Sequence, residues 1–161
     1  MPDLENAMKS FEQAIKAGAI PLQPGALDGK LVVHLDRPGG EPRLTYARVD
    51  GKKVTAFVTF IQCEPVEGLR CYNVGWAVPS NLRGQGRAGE VFKPAVNELR
   101  HGLARNGVSA FYVEGVVDET NVASQRTAEK VISPPVKTGM DSEAGVPVVQ
   151  YLRKIEATTV L

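Results

Sequence analysis

A predicted strand, a glycine-rich loop and the start of a helix follow one another over residues 72–90, and this stretch constrains the fold more than any other. The loop reads Arg83-Gly84-Gln85-Gly86-Arg87-Ala88. A helix N-terminus presents unpaired backbone N–H groups and a partial positive charge, so it attracts anions. Glycines in the loop let a ligand approach the backbone closely, and Arg83 and Arg87 add charge-assisted donors. The sequence therefore predicts a phosphate-binding turn.

Hydrophobic periodicity predicts the remaining elements. They are a helix from Asp3 to Gly18, a proline- and glycine-rich loop over 19–29, strands over 30–36, 44–49, 54–62 and 69–78, a helix over 88–103, a strand over 109–117, a helix over 121–132, and strands over 136–140 and 147–155. Asp50-Gly51 predicts a hairpin, whereas a strand–helix–strand crossover requires parallel pairing. We expect a single domain over residues 1–161. Its fold class is α/β, with a mixed, mostly antiparallel sheet of six or seven strands, one parallel crossover and helices on both faces.

The charge balance limits the kinds of partner. Nineteen basic and eighteen acidic residues give a net charge of +1, and the basic residues are scattered. This distribution argues against capture of nucleic acid or of an anionic membrane. The longest apolar run, near residues 54–61, is too short to span a bilayer, and the N-terminus lacks a signal pattern. A cytoplasmic protein with neither a nucleic-acid nor a membrane partner is the default expectation, and no metal is expected.

Two other phosphate-binding motifs fit the loop poorly. A P-loop would need Gly-Lys-Ser/Thr at the helix start, and none is present. The spacing Gly84-x-Gly86-x-x-Gly89 satisfies a dinucleotide-binding fingerprint. That fold turns from strand to first glycine almost at once, whereas residues 79–83 intervene here, and the chain after Val117 is too short for further βαβ units. A nicotinamide-dependent oxidoreductase is therefore disfavoured.

The loop resembles the acetyl-CoA pyrophosphate loop of the GNAT superfamily of N-acetyltransferases. That loop is written Arg/Gln-x-x-Gly-x-Gly/Ala, and Arg83, Gly86 and Ala88 meet it. A second signature of the family, an Asn, a small residue three positions on, and then Glu-Lys, is similar to Asn121, Ser124 and residues 129–130. The resemblance is specific over residues 72–130, and the order of elements extends it over most of the chain.

The resemblance implies an enzyme that transfers an acetyl group from acetyl-CoA to a primary amine by direct attack in a ternary complex. The acceptor is a small-molecule or protein amine, and a homodimer paired through a sheet edge or the last strand is a plausible assembly. The end of the fourth strand would pair with the pantetheine amides, and the Val78 N–H would stabilise the thioester oxyanion. Asn121 would contact the pantetheine arm, with Ser124 nearby. The implied cofactor-binding residues are Ala77, Val78, Arg83, Gly84, Gln85, Gly86, Arg87, Ala88, Asn121 and Ser124.

The sequence identifies the catalytic groups less clearly than the cofactor-binding residues. Many members of the family have a proton-donating Tyr in the second signature, where this chain has Ala128. Tyr151 and Tyr112 are possible substitutes, and a non-catalytic acyl-CoA-binding or sensing module remains the alternative function. Glu114 is the candidate general base, because a charge inside an apolar strand is costly without a purpose; an ion pair or an exposed edge position is its structural explanation. His34 and His101 have weaker claims.

Two cysteines, Cys63 and Cys71, flank a predicted turn over residues 65–68. A hairpin there would place them opposite each other, so a cross-strand disulfide is one interpretation. In a reducing compartment disulfides are rare, and two buried thiols acting as small apolar side chains are the favoured interpretation. Neither cysteine is expected to act as a nucleophile.

Overall fold

The computed structural model describes residues 3–161, which form one seven-stranded sheet and three α-helices. In chain order the elements are α1 (Leu4–Lys16), β1 (Leu31–Asp36), β2 (Arg43–Asp50), β3 (Lys53–Val66), β4 (Leu69–Ala77), α2 (Arg87–Arg105), β5 (Ala110–Asp118), α3 (Val122–Val131), β6 (Lys137–Met140) and β7 (Pro147–Glu156). The strand order is β1-β2-β3-β4-β5-β7-β6. Only the β4–β5 pair is parallel within residues 3–161. The predicted fold class is confirmed.

Helix α1 covers one face of the sheet. It begins where predicted, because the Asp3 side chain accepts a hydrogen bond of 3.0 Å from the Asn6 N–H. Its apolar side buries Met8, Phe11 and Ile15 in a cluster with strand residues that include Phe57. This cluster fixes the position of the α1 N-terminus beside the end of β4.

Helices α2 and α3 cover the opposite face. The apolar side of α2 packs on β2 and β3, and the buried Ala128 and the Ile132 side chain after α3 join the same core. Pro94 lies inside α2, which runs continuously from Arg87 to Arg105. The sheet is therefore sandwiched between helices, as the predicted fold requires.

Glu98 of α2 ties the loop over residues 19–29 to the helix. Its carboxylate is only 7% exposed and accepts hydrogen bonds from the backbone N–H groups of Ala26, Leu27 and Asp28 at 3.0, 2.6 and 2.8 Å. Gly25 lies so close that an added Cβ would be 2.7 Å from a Glu98 carboxylate oxygen. The predicted loop is present, but this contact holds it against the core, and the sequence interpretation did not identify Glu98.

Strand β3 is longer than predicted. The sequence placed its end near residue 62 and a turn over 65–68, but β3 continues through Pro65 to Val66, and the turn is Glu67-Gly68 with φ of 50° and 76°. The register shifts between Cys63 and Val66, which indicates a bulge. Bulges are places where a strand accommodates proline.

None of the helices within residues 3–161 combines the length and the hydropathy that crossing a bilayer requires.

Strands β4 and β5 separate before they end. They pair through Cys71↔Tyr112, Tyr72↔Val113 and Asn73↔Glu114, after which β4 runs on to Ala77 and β5 to Asp118 without pairing to each other. Beyond that point β4 remains bonded to β3, and β5 remains bonded to β7. The two strand ends therefore diverge and open a cleft in the middle of the sheet, which we call the seam cleft.

Candidate active site

The seam cleft is a cavity of about 690 Å³. That volume falls within the usual range for small-molecule sites, roughly 300–1,000 Å³. Its walls come from the ends of β4 and β5, the loop before α2, the first turns of α2 and α3, and the start of α1. The β4 and β5 residues that line it are Val74, Gly75, Trp76, Ala77, Val116, Val117 and Asp118.

The mouth of the seam cleft is the N-terminus of α2. The residue before the helix is Gly86, with φ of 75°, and it has no side chain to cap the first turn. The first backbone N–H groups of a helix have no carbonyl partner within the helix, because the residues that would supply it lie before the helix begins. Atoms added at Cβ of Gly84 or Gly86 would meet nothing within 4 Å. The backbone amides at this point are therefore open to an anionic ligand, which is what a diphosphate requires.

The two arginines of the loop occupy different positions. Arg83 donates from Nε to the Val78 carbonyl at 3.1 Å and lies 3.7 Å from the Glu5 carboxylate. Arg87 donates from Nε to the Gln85 side-chain oxygen at 3.3 Å. Both arginines line the seam cleft. Arg83 thus stabilises the turn after β4, a structural role that the sequence interpretation did not predict. Its other N–H groups remain at the mouth of the seam cleft.

The structure brings the expected cofactor-binding residues together, with one exception. The residues that line the cleft are Ala77, Val78, Arg83, Gly84, Gly86, Arg87, Ala88, Asn121 and Ser124. Gln85 is not among the lining residues and lies beside the mouth, against Arg87. The sequence interpretation missed Trp76, the β5 residues and Thr127 as cleft walls. Trp76 and the β5 residues lie at the ends of the two strands that the parallel crossover joins, and this position is the signal that could have identified them. Thr127, on α3, carries no such signal.

Asn121 has a structural role that its motif did not predict. Its Oδ1 accepts a hydrogen bond of 3.1 Å from the Ser124 N–H and so caps α3. The side-chain NH₂ group is the donor left for a ligand in the cleft. The cap therefore fixes the orientation of the one group on Asn121 that a bound amide carbonyl could use.

Glu114 lies where β4 and β5 begin to separate, and it is not one of the residues that line the seam cleft. It occupies the last β4–β5 pair, opposite Asn73, and is half-buried. Its carboxylate accepts a hydrogen bond of 2.5 Å from Gln150 Nε2 and a longer one of 3.4 Å from Asn73 Nδ2. Burial alternates along β5, so Glu114 shares the less buried face with Tyr112 and Val116. Its two partners are neutral amides rather than a cation, so neither of these hydrogen bonds is the ion pair that would explain Glu114 structurally.

Solved structures resemble this architecture, although no family model and no curated protein sequence matches the chain. A Bordetella pertussis protein described as a GNAT-family acetyltransferase is 16% identical with a TM-score of 0.53, over 70% of this chain and 65% of that one. A ribosomal-protein-alanine N-acetyltransferase of Brucella melitensis is 17% identical with a TM-score of 0.54, over 96% and 80%. The NatC complex bound to Gag peptide and CoA is 15% identical with a TM-score of 0.54, over 69% and 70%.

The protein has the GNAT fold. The match spans just under two thirds of the length of the Bordetella chain. The seam cleft is lined by nine of the ten residues that the resemblance implies as cofactor-binding. Within residues 3–161, no group of three or more His, Cys, Asp or Glu side chains is arranged to hold a metal ion.

The tyrosines differ in their surroundings within the GNAT fold. Ala128, which the resemblance matches to the family Tyr, is fully buried. The Tyr112 hydroxyl donates a hydrogen bond of 2.8 Å to the Glu67 carboxylate, which raises the pKa of Tyr112. Tyr151 is fully buried in the same core as Ala128, burial raises its pKa, and its hydroxyl has no hydrogen-bond partner within residues 3–161. A buried, unpaired hydroxyl is unusual and calls for an explanation.

The histidines lie elsewhere. The His34 ring is 6.0 Å from the Phe11 ring, where it packs under α1. His101 is on α2, well past its first turn. Neither lines the seam cleft within the described residues, which is equally true of Glu114 and Tyr151. The histidines also lie away from the point where β4 and β5 separate, whereas Glu114 is in the last β4–β5 pair.

Proposed function

We propose that the protein is an acetyl-CoA-dependent N-acyltransferase that acetylates a primary amine. The observation on which this rests is the coincidence of an open helix N-terminus, at Gly86, with a cleft of about 690 Å³ between two diverging parallel strands. A diphosphate fits the first feature because its charge meets unpaired N–H groups. The extended arm of the same ligand fits the second, because the unpaired strand ends offer it backbone hydrogen bonds.

The residues of the loop and of β4 would hold the co-substrate. Backbone amides of residues 83–88 bind the pyrophosphate, and Arg87 adds charge at the mouth. The free edge of β4 at Ala77 and Val78 pairs with the pantetheine amides. The Val78 N–H then donates to the thioester oxygen, where charge develops as the amine attacks. Asn121 binds an amide carbonyl of the arm through its NH₂ group.

Glu114 would act as the general base. It belongs to the last β4–β5 pair, the point from which the two strands diverge to form the cleft. A ligand anchored at the mouth and extended along the strands would bring its acyl end toward this point. Gln150 and Asn73 hold its carboxylate by hydrogen bonds, and this fixes the direction in which its free lone pairs can accept a proton from the acceptor ammonium group. Attack by the neutral amine breaks the C–S bond and releases the thiolate of CoA.

Tyr151 would return a proton to that thiolate. Proton transfer to the sulfur makes CoA a better leaving group, so a positioned O–H donor lowers the barrier to cleavage of the C–S bond. The Tyr151 hydroxyl has no partner within the described residues, and Tyr151 lies opposite Gly115, the first β5 residue beyond the β4–β5 pairs. It belongs to the same buried core as Ala128. Tyr112 is the weaker substitute, because its hydroxyl is already bonded to Glu67.

The neighbouring structures include a ribosomal-protein-alanine N-acetyltransferase and a complex bound to a peptide and CoA. They support an amine acceptor for this chain and leave the choice between a small molecule and a protein to experiment. The competing function is an acyl-CoA-binding or sensing module without catalysis, and the absence of a Tyr at Ala128 favours it.

Binding and turnover separate these functions. Acetyl-CoA should raise the melting temperature of the protein, whereas NAD should leave it unchanged. Release of free thiol from acetyl-CoA is then measured across a panel of small amines and peptide N-termini. Turnover with an amine supports the enzyme. Tight binding without turnover on any amine supports the sensing module, and a stabilising effect of NAD alone would overturn both.

A further inference from the structure

Cys63 and Cys71 face each other across the β3–β4 hairpin. They are directly opposed in the antiparallel register, at the last regular pair before the bulge that precedes the Glu67-Gly68 turn. Residues so opposed have Cβ atoms roughly 4.5–5.5 Å apart. A disulfide needs a Cβ–Cβ distance of about 3.5–4.5 Å. Only a small movement of the two strands would therefore allow the bond, and both cysteines are free thiols.

The two sulfur atoms already interact. Hydrogen bonding to the Cys71 thiol, and to a lesser extent to the Asn73 backbone N–H, holds the pKa of Cys63 below its ordinary value. The same thiol–thiol bond, together with burial, raises the pKa of Cys71. Cys63 is half-buried, whereas Cys71 is fully buried, so the expectation of two buried thiols was wrong for Cys63.

This asymmetry assigns the two thiols different chemistry. A thiolate is the attacking species in thiol–disulfide exchange, and access to the incoming disulfide controls the rate. Cys63 meets both conditions better than Cys71. Cys71 is shielded from solvent but lies next to the sulfur that would be modified first.

We propose that Cys63 and Cys71 form an oxidation site in which Cys63 reacts with a low-molecular-weight disulfide and Cys71 then closes a cross-strand disulfide. In the first step the Cys63 sulfur bonds to one sulfur of the small disulfide and expels the other as a thiol. In the second step the Cys71 sulfur bonds to the Cys63 sulfur and expels the second small thiol. The protein loses two hydrogens, and the small disulfide is reduced to two thiols.

The location gives the site a structural consequence. Cys71 begins the β4–β5 pairing opposite Tyr112, and Asn73, which contacts both the Cys63 sulfur and Glu114, follows two residues later. The disulfide would cross-link β3 and β4 two residues before the β4–β5 pairing ends at Asn73. This inference does not depend on the proposed acyltransferase activity, because it concerns only the two thiols and the hairpin.

Glutathione disulfide is the probe, and intact mass of the whole folded chain is the readout. The sequence contains only these two cysteines, so every product is assigned without ambiguity. The wild-type chain should lose two hydrogens, retain no glutathione and show no free thiol, and its melting temperature should rise. Cys71→Ser should stop at one glutathione adduct. Cys63→Ser should stay unmodified while folded and react after unfolding in urea.

Three results would overturn the proposal. The first is a wild-type chain that keeps its glutathione adduct, which would show that Cys71 cannot reach Cys63. The second is a wild-type chain that stays reduced while its urea-unfolded form reacts. The third is folded Cys63→Ser that reacts as fast as Cys71→Ser, which would contradict the assignment of Cys63 as the attacking thiol.

Discussion

Replacement of Gly86 by Trp tests the placement of the diphosphate. Gly86 lines the mouth of the seam cleft, and a side chain added there would enter open space rather than the core. The indole would occupy the approach to the first-turn amides of α2. Acetyl-CoA should therefore lose its phosphate contacts, while the sheet and its helices remain folded.

Gly86→Trp should change two free energies, that of folding and that of acetyl-CoA binding. Gly86 has φ of 75°, and a residue with a Cβ in this left-handed region costs about 1–2 kcal/mol of folding free energy. Hydrogen bonds to a charged group contribute about 1.5–3 kcal/mol each. Loss of two such bonds to the diphosphate should weaken acetyl-CoA binding by roughly 3–6 kcal/mol, which is about a hundredfold to ten-thousandfold in Kd.

Gly51→Trp is the matched control. Gly51 has φ of 63° in the β2–β3 turn, its added Cβ would also meet nothing within 4 Å, and it does not line the seam cleft. Both variants should lose a similar free energy of unfolding in urea. Calorimetric titration with acetyl-CoA should show a weakened Kd only for Gly86→Trp. If Gly86→Trp remained folded and bound acetyl-CoA as tightly as Gly51→Trp, the diphosphate would not bind at this loop.

Further variants separate the catalytic roles. Glu114→Gln should lower kcat with little change in acetyl-CoA affinity and should alter the pH–rate profile; Gln150→Leu, which removes the 2.5 Å hydrogen bond to Glu114, should give a smaller change in both. Tyr151→Phe should lower kcat roughly a hundredfold. Its unfolding free energy should stay equal or rise by about 1 kcal/mol, because the substitution removes an unpaired hydroxyl. Tyr112→Phe should retain activity, and equal activity of the two variants would exclude Tyr151 as the proton donor. Glu98→Gln should lose about 2–4 kcal/mol of unfolding free energy in urea, because it weakens three hydrogen bonds.

The fold was predictable where local signals agree with each other. Asp3 and Asp50-Gly51 are short-range signals, and the helix cap and the hairpin turn lie where they predict. The parallel crossover followed from a strand, a helix and a strand in succession. The end of β3 was not predictable, since Pro65 is a strand breaker in most contexts and only the bulge between Cys63 and Val66 lets the strand continue.

The site was predictable only along its contiguous part. Residues 83–88 are neighbours in the sequence, so their motif predicts that they lie together at the start of α2, as they do. Gln150 and Asn73 contact Glu114 from 36 and 41 residues away, and such pairing depends on strand register that no local pattern encodes. Glu98 was missed for the same reason, because its partners lie 70 to 72 residues earlier.

The register places the proposed base and the proposed proton donor on opposite faces of the sheet. Glu114 pairs with Leu152, and the next β5 residue, Gly115, pairs with Tyr151. Successive residues of a strand face opposite sides, so Glu114 lies on the α1 side and Tyr151 on the side of α2 and α3. A thioester held between the separated strands would then be attacked from one face and would release its thiolate toward the other. Because the two proton transfers use different groups, Glu114→Gln and Tyr151→Phe should affect different limbs of the pH–rate profile, and loss of the same limb in both variants would contradict this arrangement.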